Sequence, residues 1–243
     1  MKHLLLSALL LILPVKAQNA TTQSKATVNE NAAITQIHSS YSHVEKAVRN
    51  AAVKVSTPDG HGSGGLIKYK DMTLVLTAQH VADGALGQTY LIGAESEDRL
   101  AILIYSDPLN DIALLYLAED FRYAKPMRWK TKNLLTPIAT EITYSGYPSW
   151  HSLLSFRGSV AGYELIPHRG QQIILQTYGY FGSSGSVIYD SDYNIVGVLW
   201  GVDVQRDGVH ENIVWVSPIQ KLDINLAIKP LCTGLGNKPR ACR

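Results

Sequence analysis

Disulfide chemistry is almost missing from this chain. Its 243 residues include two cysteines, Cys232 and Cys242, both near the C-terminal end. A core stapled by disulfides is thereby excluded, and everything upstream has to hold by packing. In an oxidising compartment the two thiols can close a small loop in the tail, and that pairing is the one expected. Clusters of cysteine, histidine and acid at ligand spacing are missing too. His38, His43, His151 and His168 stand apart from any such partner, so no metal and no other cofactor is expected. A strong charge of one sign is equally absent. The formal net charge is +2 and charged residues make up 17% of the chain, which gives no case for a nucleic-acid partner. Lys125, Arg128, Lys130 and Lys132 do cluster, and they read as a solvated linker. Finally, no apolar run approaches the length of a membrane span, and the stretch from Leu4 to Leu13 is far too short for one.

That short run has another meaning at its position. Lys2 and His3 precede it and Val15-Lys16-Ala17 supplies small residues after it, the pattern of a secretory signal peptide over 1–17. The product is then expected to be secreted or periplasmic, with no membrane attachment after cleavage. Residues 18–42 are rich in Asn, Thr, Gln and Ser without periodicity and read as a mobile lead-in. Behind Ser42 as a cap, Val44, Ala47, Val48 and Ala51 recur at helical spacing, which predicts a short helix.

Hydrophobic residues, 46% of the chain, suffice for a substantial core. Beyond residue 51 they come in short β-branched and aromatic runs, separated by turn residues such as Pro58-Asp59-Gly60 and Asp83-Gly84. One series covers 52–56, 65–69, 73–77, 89–92, 100–105 and 112–117. A second covers 141–145, 158–163, 173–176, 186–189, 195–200 and 213–217. The rhythm predicts an all-β protein, barrel or sandwich. Residues 119–137 are polar and basic with two prolines, which suits a connection between halves. Ser217-Pro218 predicts a helix over 218–228, with the serine as cap, and 231–243 is a cysteine-bearing tail.

Three polar residues stand at the edges of these apolar runs. Thr77-Ala78-Gln79-His80 presents a histidine, Asp111-Ile112-Ala113-Leu114 an aspartate, and Gly182-Ser183-Ser184-Gly185 a serine in a crowded turn. A serine hydroxyl is a poor nucleophile at neutral pH. It needs a base within reach and donors for the oxyanion that forms on attack. Glycines at 182 and 185 permit the tight backbone that such donors require. Ser183 and Ser186 are adjacent hydroxyls, but only Ser184 lies in the Gly-x-Ser-Gly frame. His61 precedes Gly62-Ser63-Gly64-Gly65, read as a turn, where it either faces solvent or lines the cleft.

The order histidine, aspartate, serine differs from that of α/β-hydrolases and of the subtilisin type. With its three motifs, the sequence resembles the chymotrypsin-like (trypsin-fold) serine peptidases over residues 45–228, most closely the compact bacterial branch that includes the HtrA proteases. The resemblance implies a protease domain over 43–230 built of two six-stranded antiparallel β-barrels, 50–118 and 138–217. A short N-terminal helix and a C-terminal helix would flank them, with the site in the cleft between. It implies His80 as base, Asp111 as its orienting acid and Ser184 as nucleophile, with the N–H groups of Gly182 and Ser184 as oxyanion hole. Leu199, Trp200 and Gly201 would bind substrate backbone, and Tyr178 would floor the primary pocket.

The implied activity is that of an exported serine endopeptidase acting on protein or peptide substrates through an acyl-enzyme. The alternative is a catalytically inactive trypsin fold that binds a peptide or protein. HtrA proteins carry PDZ domains after the protease, and too few residues follow here for one. Nothing in the sequence sets an oligomeric state. Three departures from the family pattern carry expectations. Ser183 replaces the aspartate that pairs with a new N-terminus in trypsin-type activation, so that device is not expected. Leu199 stands where a serine usually supports the catalytic aspartate. Tyr178 is not an acid, which disfavours cleavage after Lys or Arg and leaves small or apolar residues at P1.

Overall fold

The computed structural model describes residues 41–234 apart from Glu95 and Asp207. The predicted signal peptide and lead-in, and Cys242 as the expected partner of Cys232, lie outside the described residues. Helix α1 (His43–Ala51) starts where the serine cap predicts. Ser42 Oγ accepts from the Glu45 N–H, and the Glu45 carboxylate accepts in turn from the Ser42 N–H, a reciprocal capping box.

Twelve of the strands close into two antiparallel barrels, as the resemblance implies. Barrel one comprises β1 (Ala52–Thr57), β2 (Gly60–Tyr69), β3 (Met72–Thr77), β4 (Thr89–Ala94), β5 (Glu97–Asp107) and β6 (Ile112–Leu117). Its order is β1-β4-β5-β6-β3-β2, and pairing of β1 with β2 closes it. A two-residue strand in the linker, β7 (Met127–Arg128), adds to β2 in parallel. Barrel two comprises β8 (Glu141–Gly146), β9 (Leu154–Ile166), β10 (Gly170–Gln176), β11 (Val187–Asp190), β12 (Ile195–Gln205) and β13 (Gly208–Pro218), closed in the order β10-β13-β12-β11-β8-β9. Closure satisfies the backbone groups that an open sheet leaves bare at its edges.

The side-chain patterns explain the arrangement. β3 and almost all of β6 are buried, whereas β4 alternates exposed and buried at its start, as a strand with one wet face must. One large hydrophobic cluster fills barrel one and continues through Val48 and Ala51 of α1 into Val187, Tyr189, Ile195 and Val198 of barrel two. A smaller cluster, including Tyr144, Ile173, Leu175, Leu199 and Val214, lies inside barrel two. Helix α1 also crosses the junction: buried Glu45 pairs with Arg157 of β9 (Nη2 to Oε2 2.6 Å), and Arg49 donates to Ser155 Oγ (3.0 Å).

Two local readings are corrected. Gly62 to Gly65 is no turn but the middle of β2, where a Cβ on any of its three glycines would crowd neighbours in one barrel or the other. A Cβ on Gly65 would lie 2.7 Å from a Val187 methyl. The predicted helix over 218–228 is broken into a 3-10 turn (Ile219–Lys221) and α2 (Ile224–Ala227), followed by α3 (Lys229–Gly234). The Ser217 hydroxyl is spent on the Asn110 carbonyl and the Gln172 amide, so Asp223 caps α2 instead, accepting from the N–H groups of Asn225 and Leu226.

Candidate active site

His80 follows β3 after Ala78 and Gln79, in a single turn where the N–H of Val81 reaches the Ala78 carbonyl. Asp111 precedes β6 in a left-handed conformation (φ +53°), which aspartate tolerates better than most residues. The turn before it is fixed by Asp107, whose Oδ1 accepts from the N–H groups of Leu109 and Asn110. β3 and β6 are neighbours, with Thr77 opposite Ala113, so the residues just past these two strand ends meet. His80 Nδ1 lies 3.0 Å from both carboxylate oxygens, and its backbone N–H donates to Oδ1 at 2.9 Å. The imidazole is half open to solvent, with 46% of its side chain exposed, while that of Asp111 is 3% exposed. Burial alone would push the Asp111 carboxyl up. Its bonds to His80, with Arg169 adding to them, more than reverse that and hold it below its ordinary value.

The serine turn is set by two glycines that no other residue can replace without strain. Gly182 has φ +91° and Gly185 φ +92°. A Cβ at 185 would fall 1.9 Å from the Ser63 carbonyl oxygen and 2.2 Å from Thr77 Oγ1, and one at 182 would fall 2.5 Å from the Tyr147 carbonyl oxygen. This close approach ties the turn to barrel one: the Ser63 N–H donates to the Ser184 carbonyl at 2.7 Å, and the Ser63 hydroxyl donates to the Gly182 carbonyl at 2.7 Å. Thr77, three residues before His80, donates to the Ser63 carbonyl. His80 and Ser184 are thus referenced to the same strand.

The backbone of this turn leaves two donors unspent. The Phe181 carbonyl accepts from the Ser149 N–H (2.6 Å) and the Ser183 carbonyl from the Ser186 N–H (3.0 Å). Because a trans peptide points its N–H opposite its carbonyl, the N–H groups of Gly182 and Ser184 face away from those partners. Among the described residues no protein acceptor takes either one. The Ser184 hydroxyl is directed to the Trp200 carbonyl at 3.4 Å, a long bond, and no hydrogen bond joins it to His80.

The other predicted residues fall into two groups. Trp200 and Gly201 lie half-buried on β12 beside the serine, whereas Leu199 is buried in the core of barrel two. The backbone of Leu199 pairs with Gly185 and Ser186. Tyr178 is 38% exposed, stacks on Phe156 with ring centroids 5.2 Å apart, and borders an open groove of about 450 Å³ with Val209, His210 and Glu211. No group of three or more His, Cys, Asp or Glu side chains is arranged to hold a metal among the described residues, and no helix there is long and apolar enough to cross a membrane.

Sequence reasoning missed one residue and left another between two placements. Arg169, in the β9–β10 turn, donates from Nη1 to Asp111 Oδ2 at 3.0 Å and sits over the Trp200 ring, its guanidinium carbon 4.4 Å from the centroid. A lone arginine after Pro167-His168 carries no local signal of a contact with a residue of the other barrel. His61 is half-buried and stands at the serine turn, with Nε2 2.9 Å from the Tyr147 carbonyl oxygen and its ring 6.0 Å from that of Trp150.

A two-barrel fold with histidine and acid on one barrel and a glycine-flanked serine on the other defines a serine-peptidase class of site. The family model for the trypsin-like peptidase domain matches residues 62–198, and the chain belongs to that family. Among solved structures it is similar to an inactive-form serine-to-alanine mutant of Rv3671c from M. tuberculosis H37Rv, at 18% identity and TM-score 0.60, covering 80% of this chain and 93% of that one. The active form of the Rv3671c protease matches at 16% identity and TM-score 0.60, over 82% and 88% of the two chains. An alanine variant of the HtrA-type protease AlgW, solved with a decapeptide, matches at 17% identity and TM-score 0.64, over 78% and 67%. At these identities the likeness is one of fold. No curated protein sequence matches the chain.

Proposed function

We propose that the protein is an exported serine endopeptidase that cleaves peptide bonds through an acyl-enzyme formed on Ser184. The observation that carries this reading is the buried Asp111 gripping Nδ1 of an exposed His80, beside a serine turn with two unspent N–H groups. In attack, the Ser184 hydroxyl turns from the Trp200 carbonyl to the imidazole and passes its proton to His80 as its oxygen bonds to the scissile carbonyl carbon. Asp111 keeps Nδ1 protonated, which leaves Nε2 as the acceptor, and stabilises the imidazolium that forms. The N–H groups of Gly182 and Ser184 receive the oxyanion. His80 then returns the proton to the leaving amine, and water repeats the sequence on the acyl-enzyme.

Substrate backbone pairs with β12 at Trp200 to Val202, a mode that places little demand on sequence. Tyr178 itself carries no charge, and although Glu211 lines the same groove, peptides with small or apolar P1 residues are favoured over Lys or Arg. Met1 to Ala17 directs export to the periplasm or the exterior.

The second reading, an inactive trypsin fold that binds peptides, is favoured by one feature, the missing bond between Ser184 and His80. Cleavage of a peptide library by the wild type, with Ser184→Ala as control, separates the two. Cuts that vanish in the variant support the endopeptidase, and binding without cleavage supports the other.

A further inference from the structure

Asp111 is held by more than the imidazole it serves. Its Oδ1 accepts the His80 backbone N–H and its Oδ2 accepts Arg169 Nη1, so each oxygen has an anchor besides Nδ1, and the plane of the carboxylate is fixed from both barrels. Arg169 is itself immobilised. Its guanidinium lies on Trp200, and its carbonyl accepts from Gln172 Nε2 (2.9 Å) and Lys221 Nζ (2.6 Å). Gln172 is fully buried and accepts at Oε1 from the Trp200 indole N–H (3.0 Å), with the Ser217 hydroxyl 3.2 Å from the same oxygen. That hydroxyl donates to the Asn110 carbonyl, one residue before Asp111. Barrel two therefore braces Asp111 on both sides, while Leu199 offers it no hydroxyl.

We propose that Arg169 is a positioning residue for the His80–Asp111 pair, fixing the carboxylate from barrel two and favouring the neutral, proton-accepting imidazole. The proposal deepens the peptidase reading and rests on it for its effect on rate. Two cations share one buried carboxylate when His80 is protonated, and the permanent charge of Arg169 disfavours the second. The other charged groups around Arg169 are Lys221, whose ammonium burial pushes down, and Asp107, which acts on Lys221 in the opposite sense. Both stand behind the turn and bond to its backbone or to the Asp111 loop, not to the Asp111 carboxylate. Trp200 carries the guanidinium on its face, so the brace also joins Asp111 to the strand on which substrate is laid.

The test uses Arg169→Met and Arg169→Lys in two settings. In the Ser184→Ala background, which needs no activity, the His80 ring resonances are followed by NMR against pH. Arg169→Met is expected to raise their midpoint by about 0.5–1 unit, and Arg169→Lys to leave it nearly in place. In the active enzyme, Arg169→Met is expected to lower kcat about 10- to 100-fold with KM within about threefold. The acid limb of the rate profile then moves up with the NMR midpoint, and added guanidinium ion restores part of kcat. Arg169→Gln repeats the comparison should the methionine variant not fold. An unchanged midpoint in a folded variant overturns the proposal. If the wild type cleaves nothing yet the midpoint moves, the peptidase reading fails and the role of Arg169 at His80 stands.

Discussion

The two barrels divide the labour unequally. Barrel one places His80 and Asp111 at the ends of adjacent, almost wholly buried strands, and its hydrophobic cluster reaches across the junction. Barrel two has a smaller cluster of its own and supplies parts that must stay accessible: the serine turn, the unspent N–H groups and β12. The difference teaches where each kind of precision comes from. In barrel one, position follows from packing, because Thr77 and Ala113 sit opposite in a ladder with no room to slip. In barrel two it follows from backbone conformation, since Gly182 and Gly185 take positive φ angles against backbone oxygens of barrel one and of the Tyr147 loop.

The sharpest way to break this comparison is at the chemistry itself. Ser184→Ala and His80→Ala, one on each barrel, are each expected to lower kcat for peptide hydrolysis by about 10³- to 10⁶-fold, and the double variant to fall no further than the weaker single one. Thermal melting is expected to move little, and additive losses would mean that the two side chains do not act as a unit. Packing gives the next largest effects. Leu76→Ala, at the fully buried centre of barrel one, is expected to cost about 3–5 kcal/mol by denaturant unfolding, and Leu175→Ala in the smaller cluster about 2–3 kcal/mol. Equal costs would erase the distinction between the cores.

Gly185→Ala tests the backbone half of the comparison. Its Cβ has no space against the Ser63 oxygen, so a loss of more than about 2 kcal/mol is expected together with disruption of the serine turn. Smallest is the tie between α1 and barrel two. Arg157 bonds to Glu45 and holds its carboxyl down to about 2. Its folded value is therefore depressed, so the stabilisation is complete above the ordinary value of 4.5 and is lost as pH falls toward about 2. With Arg157 largely solvated, Glu45→Gln is expected to cost about 1–2 kcal/mol at neutral pH and almost nothing near pH 2. A cost that does not change with pH would remove the ion pair from the account.

Much of the architecture was legible because barrel strands are local. Each apolar run of the two series became a strand, and the serine cap set the start of α1. The features that stayed hidden depend on distant partners. Gly62 to Gly65 reads as a turn until Val187 of the other barrel is seen against it. Ser217 reads as a helix cap until Asn110, distant in sequence, takes its hydroxyl. The two residues of β7 pair in a linker too short to show any period. At the site, His80, Asp111 and Ser184 were visible through their motifs and order. Leu199 stands where the resemblance implies a serine supporting Asp111, yet nothing in the sequence pointed to the bond that Arg169 makes to that carboxylate.

The central claim is that the acid and base of barrel one activate the serine of barrel two. Its most direct measurement is the rate at which a fluorophosphonate modifies Ser184 as a function of pH, in wild type and in His80→Ala. The account predicts a wild-type rate that rises from acid to neutral pH, because the base must be neutral to take the serine proton, and a variant that reacts at least a hundredfold more slowly. A flat profile, or equal labelling of the two proteins, would contradict it.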